Sequence, residues 1–159
     1  MATISLKSVE YANRFIVDFY LGKELAGVFT FYSSITMLIT VYINTIVISY
    51  ELPPLISFAK TEKITPLLLK FKKSILIQLL ISSILLLIII KPLLYWQGKE
   101  EFEEYLPLIF FMTIGVGLMN YSLIYHFKLY IFKMDFAIFK IMIFSGIISF
   151  ILCVFLILG

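Results

Sequence analysis

Four side chains could do chemistry in this otherwise apolar chain: Arg14, Asn44, Gln78 and Asn120. Arg14 is the only arginine, a permanently charged fork of donors that tolerates burial only beside an anion. Glu10 and Asp18 lie one turn to either side of it, so a structural ion pair is the first use to consider. Asn44 closes a series, Ser33, Thr36, Thr40 and Asn44, spaced i, i+3, i+7 and i+11, which is one side of a helix. Gln78 sits between Ser74 and Ser82 at i, i+4 spacing, and Asn120 shares a side with Thr113 and Gly117. Such stripes have two uses. Small and hydroxylated residues let helices approach and hydrogen-bond, and polar faces can also line a path for a polar substrate.

Other reactive residue types lead nowhere as sites. A membrane acyltransferase would want a histidine with a carboxylate as its orienter, but the nearest one downstream of His126, Asp135, falls across an expected turn. One histidine and one cysteine make no metal set and no disulfide, and Cys153 is expected to be an inert small residue. Glu100, Glu101, Glu103 and Glu104 lack a calcium-loop pattern and are expected in a solvated external loop. No nucleophile and base pair, phosphate loop or metal set is present, so no enzyme activity and no cofactor is expected. A formal charge of +3, from 13 basic and 10 acidic residues, is too small and scattered for a nucleic-acid partner.

The elements that must carry these residues follow from composition. The chain is 62% hydrophobic and 14% charged, against about 25% charged in soluble domains, with a mean hydropathy of +1.05. Residues 74–90 carry no charge, and with the apolar residues that flank them they reach the roughly 20 needed to cross a bilayer core. The uncharged stretches 28–50, 106–127 and 141–158 are further spans. In the last of these Ser145, Ser149 and Cys153 form a small-residue seam. Residues 1–21 put Lys7, Glu10, Arg14 and Asp18 on one stripe and Val9, Ala12, Phe15, Ile16 and Phe19 on the other side. That is an interfacial helix or the end of a span facing a polar cavity. No signal-peptide pattern opens the chain. Residues 22–27 are expected to turn, and Pro53 and Pro54 are expected to end the helix that precedes them. The fold expected is therefore all-α: a polytopic transmembrane bundle of about four spans plus an N-terminal amphipathic or partial transmembrane helix.

Orientation follows from the lysines. Lys60, Lys63, Lys70, Lys72 and Lys73 precede the second span and Lys128, Lys133 and Lys140 follow the third, which places both tracts in the cytoplasm and the glutamate tract outside. Lys91 can snorkel, and Tyr95 and Trp96 suit the opposite interface.

The order of these features resembles the later half of the polysaccharide and O-antigen flippases of the multidrug, oligolipid and polysaccharide exporter superfamily. The resemblance is carried by NRFIVDFYLGKELAGVFTFYSSITMLI, by the proline break in ELPPLISFAK, and by YLPLIFFMTIGVGLMNYSLIYHFKLYIFK. Family members carry Asp-Arg where this chain has Asn13-Arg14, and in them more spans follow the helix that corresponds to 141–158. Residues 1–159 are thus expected to be a single transmembrane region, a fragment of one lobe of a larger flippase.

The resemblance implies exchange of an undecaprenyl-diphosphate-linked oligosaccharide across the bacterial inner membrane in surface-polysaccharide and lipopolysaccharide biosynthesis. Arg14 would then hold the diphosphate, and the stripes through Asn44, Gln78 and Asn120 would line the substrate path. The implied partners are lipid-linked oligosaccharide, membrane lipids, and the missing lobe or polysaccharide-assembly proteins. The alternative is a small helical membrane subunit or packing partner with no transport activity of its own.

Overall fold

The computed structural model describes residues 18–20, 22–59, 61 and 64–158, apart from the side chains of 149, 150 and 152–158. Arg14 and the rest of the expected N-terminal helix up to residue 17 lie outside them, as does the side chain of Cys153. Of the described residues 92% are helical, and none lies in a strand. In lipid every backbone amide and carbonyl must find its partner within the segment, and a helix is the form that provides it.

Helix α1 spans Lys23–Tyr42, continues through a π-helical stretch, Ile43–Ile48, and ends as α2, Ser49–Ser57. Helix α3 spans Ile64–Trp96, a 3-10 turn covers Glu100–Tyr105, α4 spans Leu106–Ile131 and α5 spans Asp135–Leu158. Three rods are long and apolar enough to cross a membrane: Lys23–Ser57, Ile64–Trp96 and Glu100–Ile131. The fourth expected span also forms as a helix, α5, which starts six residues earlier than its uncharged core because Asp135 suits a helix N-terminus.

Several boundaries differ from expectation. The turn expected at 22–27 is confined to Gly22, whose φ of 86° only glycine adopts freely, and Lys23–Gly27 is already helical. Pro53 and Pro54 do not end their helix; both lie inside α2, which runs on to Ser57. A proline ring needs room beside the carbonyl four residues back, and the wider π-helical turn just upstream re-routes the local pairing. There Ser49 gives both its amide and its Oγ to the Asn44 carbonyl, the latter at 2.9 Å. Lys70, Lys72 and Lys73 belong to α3 rather than to a loop, since its 33 residues, about 50 Å, exceed a bilayer core of about 30 Å. The glutamate tract is a 3-10 turn, not an irregular loop, with all four carboxylates exposed and Phe102 turned inward.

The chain packs as antiparallel neighbours around two apolar clusters. One joins Val28 and Tyr32 of α1, Ile90 and Leu94 of α3 and Ile109 of α4. The other joins Ile39, Ile43, Val47, Ile48 and Leu55 of the first rod, Phe71 and Ile75 of α3, and Ile124 and Ile131 of α4. Leu86 of α3 touches both. Only 11% of the most apolar window of α3 is buried within the chain, so most of that helix presents Leu and Ile outward, as a lipid-facing helix does.

The same cap ends two helices with different residues. After α3, Lys99 N–H bonds to the Leu94 carbonyl and Gly98 N–H to that of Tyr95; after α4, Met134 N–H bonds to Leu129 and Lys133 N–H to Tyr130. Each is a Schellman closure with a left-handed residue at its corner, Gly98 at φ 64° and Lys133 at φ 56°.

Candidate functional site

The polar residues of the three rods meet near mid-length. Asn120, fully buried on α4, donates through Nδ2 to Thr40 Oγ1 of α1 at 2.8 Å and to the Val116 carbonyl of its own helix at 2.8 Å. Its Oδ1 is buried without a donor among the described residues, a state that costs about 1 to 3 kcal/mol. Thr36, buried on the same side of α1, returns its hydroxyl to the Tyr32 and Ser33 carbonyls, and Thr113 of α4 does the same to Ile109. These two hydroxyls are therefore satisfied within their own helices.

Gln78 of α3 is half-buried, and its Oε1 accepts from Tyr42 Oη of α1 at 2.7 Å. Asn44 is exposed and donates to the Thr40 carbonyl one turn back, at 2.9 Å. Helix α1 thus links the two polar points on its neighbours, Asn120 through Thr40 and Gln78 through Tyr42. Asn44, Gln78 and Asn120 form no hydrogen bond with one another among the described residues. Both uses of the stripes keep a physical basis: Thr40 and Asn120 join two helices, whereas Asn44 and Gln78 remain accessible. At Gly117 a Cβ would make only ordinary van der Waals contact, 3.6 Å from Leu79 Cδ2, so α3 and α4 pack beside Asn120 without requiring glycine there.

At the end of the bundle that holds the glutamates, Tyr32 is fully buried and donates from Oη to the Phe102 carbonyl at 2.6 Å. Phe31 meets Phe102 edge to face at 5.4 Å, and Lys99 Nζ lies 4.3 Å from the Phe31 ring centre and 5.1 Å from that of Phe102. This clamp ties the 3-10 turn to the start of α1 by cation–π and aromatic contacts.

His126 is half-buried, with its ring edge-on to Phe127 at 5.5 Å, and the turn after Ile131 separates it from Asp135. No group of three or more His, Cys, Asp or Glu that could hold a metal ion forms among the described residues.

Two participants escape a reading by residue spacing. Tyr42 lies near mid-length of its rod, and nothing in its spacing marks it until Gln78 is placed beside it. Glu51 is half-exposed, yet its Oε2 is buried without a hydrogen-bond partner among the described residues. Its signal was the isolated carboxylate itself, at the end of a long uncharged run, since ionisable groups at such positions are costly. No family profile matches the chain, and neither does any curated protein or any solved structure.

Proposed function

We propose that the chain belongs to the membrane part of a transporter of lipid-linked oligosaccharide, one with the layout of the polysaccharide flippases, and that it resides as a multi-pass protein in the bacterial inner membrane. The observation that supports this reading is that accessible polar side chains, the Tyr42–Gln78 pair and separately Asn44, lie near the middle of helices otherwise apolar enough to cross a bilayer. Intramembrane polar groups usually face a substrate interior or another helix. On this proposal Asn44 and Gln78 contact sugar hydroxyls, Asn120 shapes the wall behind them, and Arg14 meets the diphosphate.

A second reading is favoured by a different observation. Asn120 and Gln78 already have interhelical partners within the chain, Thr40 and Tyr42, which is what a packing subunit without transport activity of its own needs.

Reconstitution in liposomes, with and without the flanking spans of a full-length flippase, separates the two. On the transport reading the segment joined to a complementary lobe moves lipid-linked sugar between leaflets, and replacing Asn44 and Gln78 with leucine slows that movement at equal protein level. Unchanged transport in that double variant would sink the substrate-path assignment.

A further inference from the structure

At the lysine-rich end of the bundle, three polar groups from two helices converge on the outer seam between α3 and α4. Lys72 Nζ of α3 lies 6.0 Å from the centre of the Tyr121 ring of α4. Tyr121 and Tyr125 stack edge to face at 5.7 Å, and their hydroxyls are 3.1 Å apart. One of those hydroxyls donates to the other, so the pair keeps one O–H proton to give outward. Tyr125 and Lys128 are exposed on the same stripe of α4. Neither α3 nor α4 carries an acidic residue, so these cations have no counter-ion on their own helices.

The surface next to this cluster, toward the helix middles, is apolar and open. Leu76 follows Lys72 by one turn on α3, and Leu118 and Ile114 precede Tyr121 on α4; all three are exposed. Lys72 lies just before the uncharged run of α3 and Lys128 ends that of α4, so the polar cluster sits where hydrocarbon gives way to headgroups. A cationic, O–H-donating cap above an apolar strip is the shape of an amphiphile with an anionic head. We propose that this seam is a binding site for an anionic phospholipid, its phosphodiester held by the Lys72 ammonium and the Tyr121–Tyr125 hydroxyl pair and its acyl chains laid over Leu76, Ile114 and Leu118. The site is independent of what, if anything, the chain transports.

Native mass spectrometry of the purified chain, released from micelles containing equal amounts of phosphatidylglycerol and phosphatidylcholine of matched chain length, tests it. The wild type retains phosphatidylglycerol in preference. Lys72→Gln lowers that preference about fivefold. Tyr121→Phe with Tyr125→Phe, which keeps both rings, lowers it about threefold. The second variant leaves the packing and every lysine in place, so it gives an answer even where Lys72→Gln reduces yield. Equal retention of the two lipids by the wild type would overturn the site. A preference unchanged in the tyrosine variant would reduce it to diffuse surface attraction, and displacement of phosphatidylglycerol by inorganic phosphate would make it an anion site with no claim on lipid.

Discussion

The two ends of the bundle are held by different means. At the glutamate end, α3 stays α-helical through Pro92 to its cap, Gly98 takes the left-handed corner, and Tyr32 reaches 70 residues along the chain to the Phe102 carbonyl under a lysine–aromatic clamp. At the lysine end, the first rod widens into the Ile43–Ile48 π-helix, then passes through Pro53 and Pro54, and the corner after α4 is taken by Lys133 rather than glycine. There Glu51 Oε2 is buried without a hydrogen-bond partner among the described residues, and Lys70, Lys72, Lys73 and Lys128 have no carboxylate on their own helices. One end is closed by specific long-range contacts; the other carries a π-helical stretch, paired prolines and a cluster of lysines, the combination expected where a helix bends or meets lipid headgroups.

The largest expected effect lies in the closed end. Tyr32→Ala removes a fully buried ring together with its hydrogen bond, and should cost about 3 kcal/mol of bundle stability, while Tyr32→Phe should cost about 1 kcal/mol. Steric-trap unfolding in bicelles measures both. A loss under 1 kcal/mol for Tyr32→Ala would mean that the clamp adds little and that the two ends are equally loose.

The other end offers a gain. Lys133 holds a φ of 56° that costs a side-chain-bearing residue about 1 to 2 kcal/mol and glycine almost nothing. Lys133→Gly should therefore stabilise the turn between α4 and α5, by about 1 kcal/mol in the same assay. Destabilisation instead would show that the lysine side chain holds that corner through its own contacts.

The contrast between the ends was only half visible in the residues. Long uncharged runs mark the helices because lipid leaves the backbone no other way to pair, and the sharing of one face by Thr113, Gly117 and Asn120 follows directly from helical spacing. The prolines misled because a helix held by its neighbours tolerates the lost amide: Pro53 and Pro54 lie inside α2, after a π-helical turn that leaves no composition signal in INTIVI, and Pro92 lies inside α3 with no such turn. The reach of α3 into the lysine tract was hidden for a similar reason: a helix does not stop where the bilayer does. Asn120 could be assigned to a face from its spacing, but its partner could not, because the pairing with Thr40 depends on how two helices 80 residues apart in sequence are set in register.

The smallest effect is the one that decides what the polar stripe does. Thr40 and Asn120 form a hydrogen bond between helices, and in membranes such bonds couple by about 0.6 kcal/mol on average, with values up to about 1.7, because the separated helices find other partners. Asn120→Ala should cost little alone, since it also removes the unpaired Oδ1, and Thr40→Val keeps the shape of Thr40 while deleting its hydroxyl. The double-mutant cycle isolates their coupling from both side effects. If packing is the stripe's use at this point, the coupling is about 0.6 kcal/mol or more and persists in the isolated chain, in detergent and in lipid alike. If the pair is instead part of a path wall that opens, the coupling falls toward zero once a complementary lobe is supplied, because Asn120 then exchanges Thr40 for water or sugar hydroxyls. The same cycle on Tyr42 and Gln78, with Tyr42→Phe and Gln78→Leu, gives the matching value for the pair that joins α1 to α3.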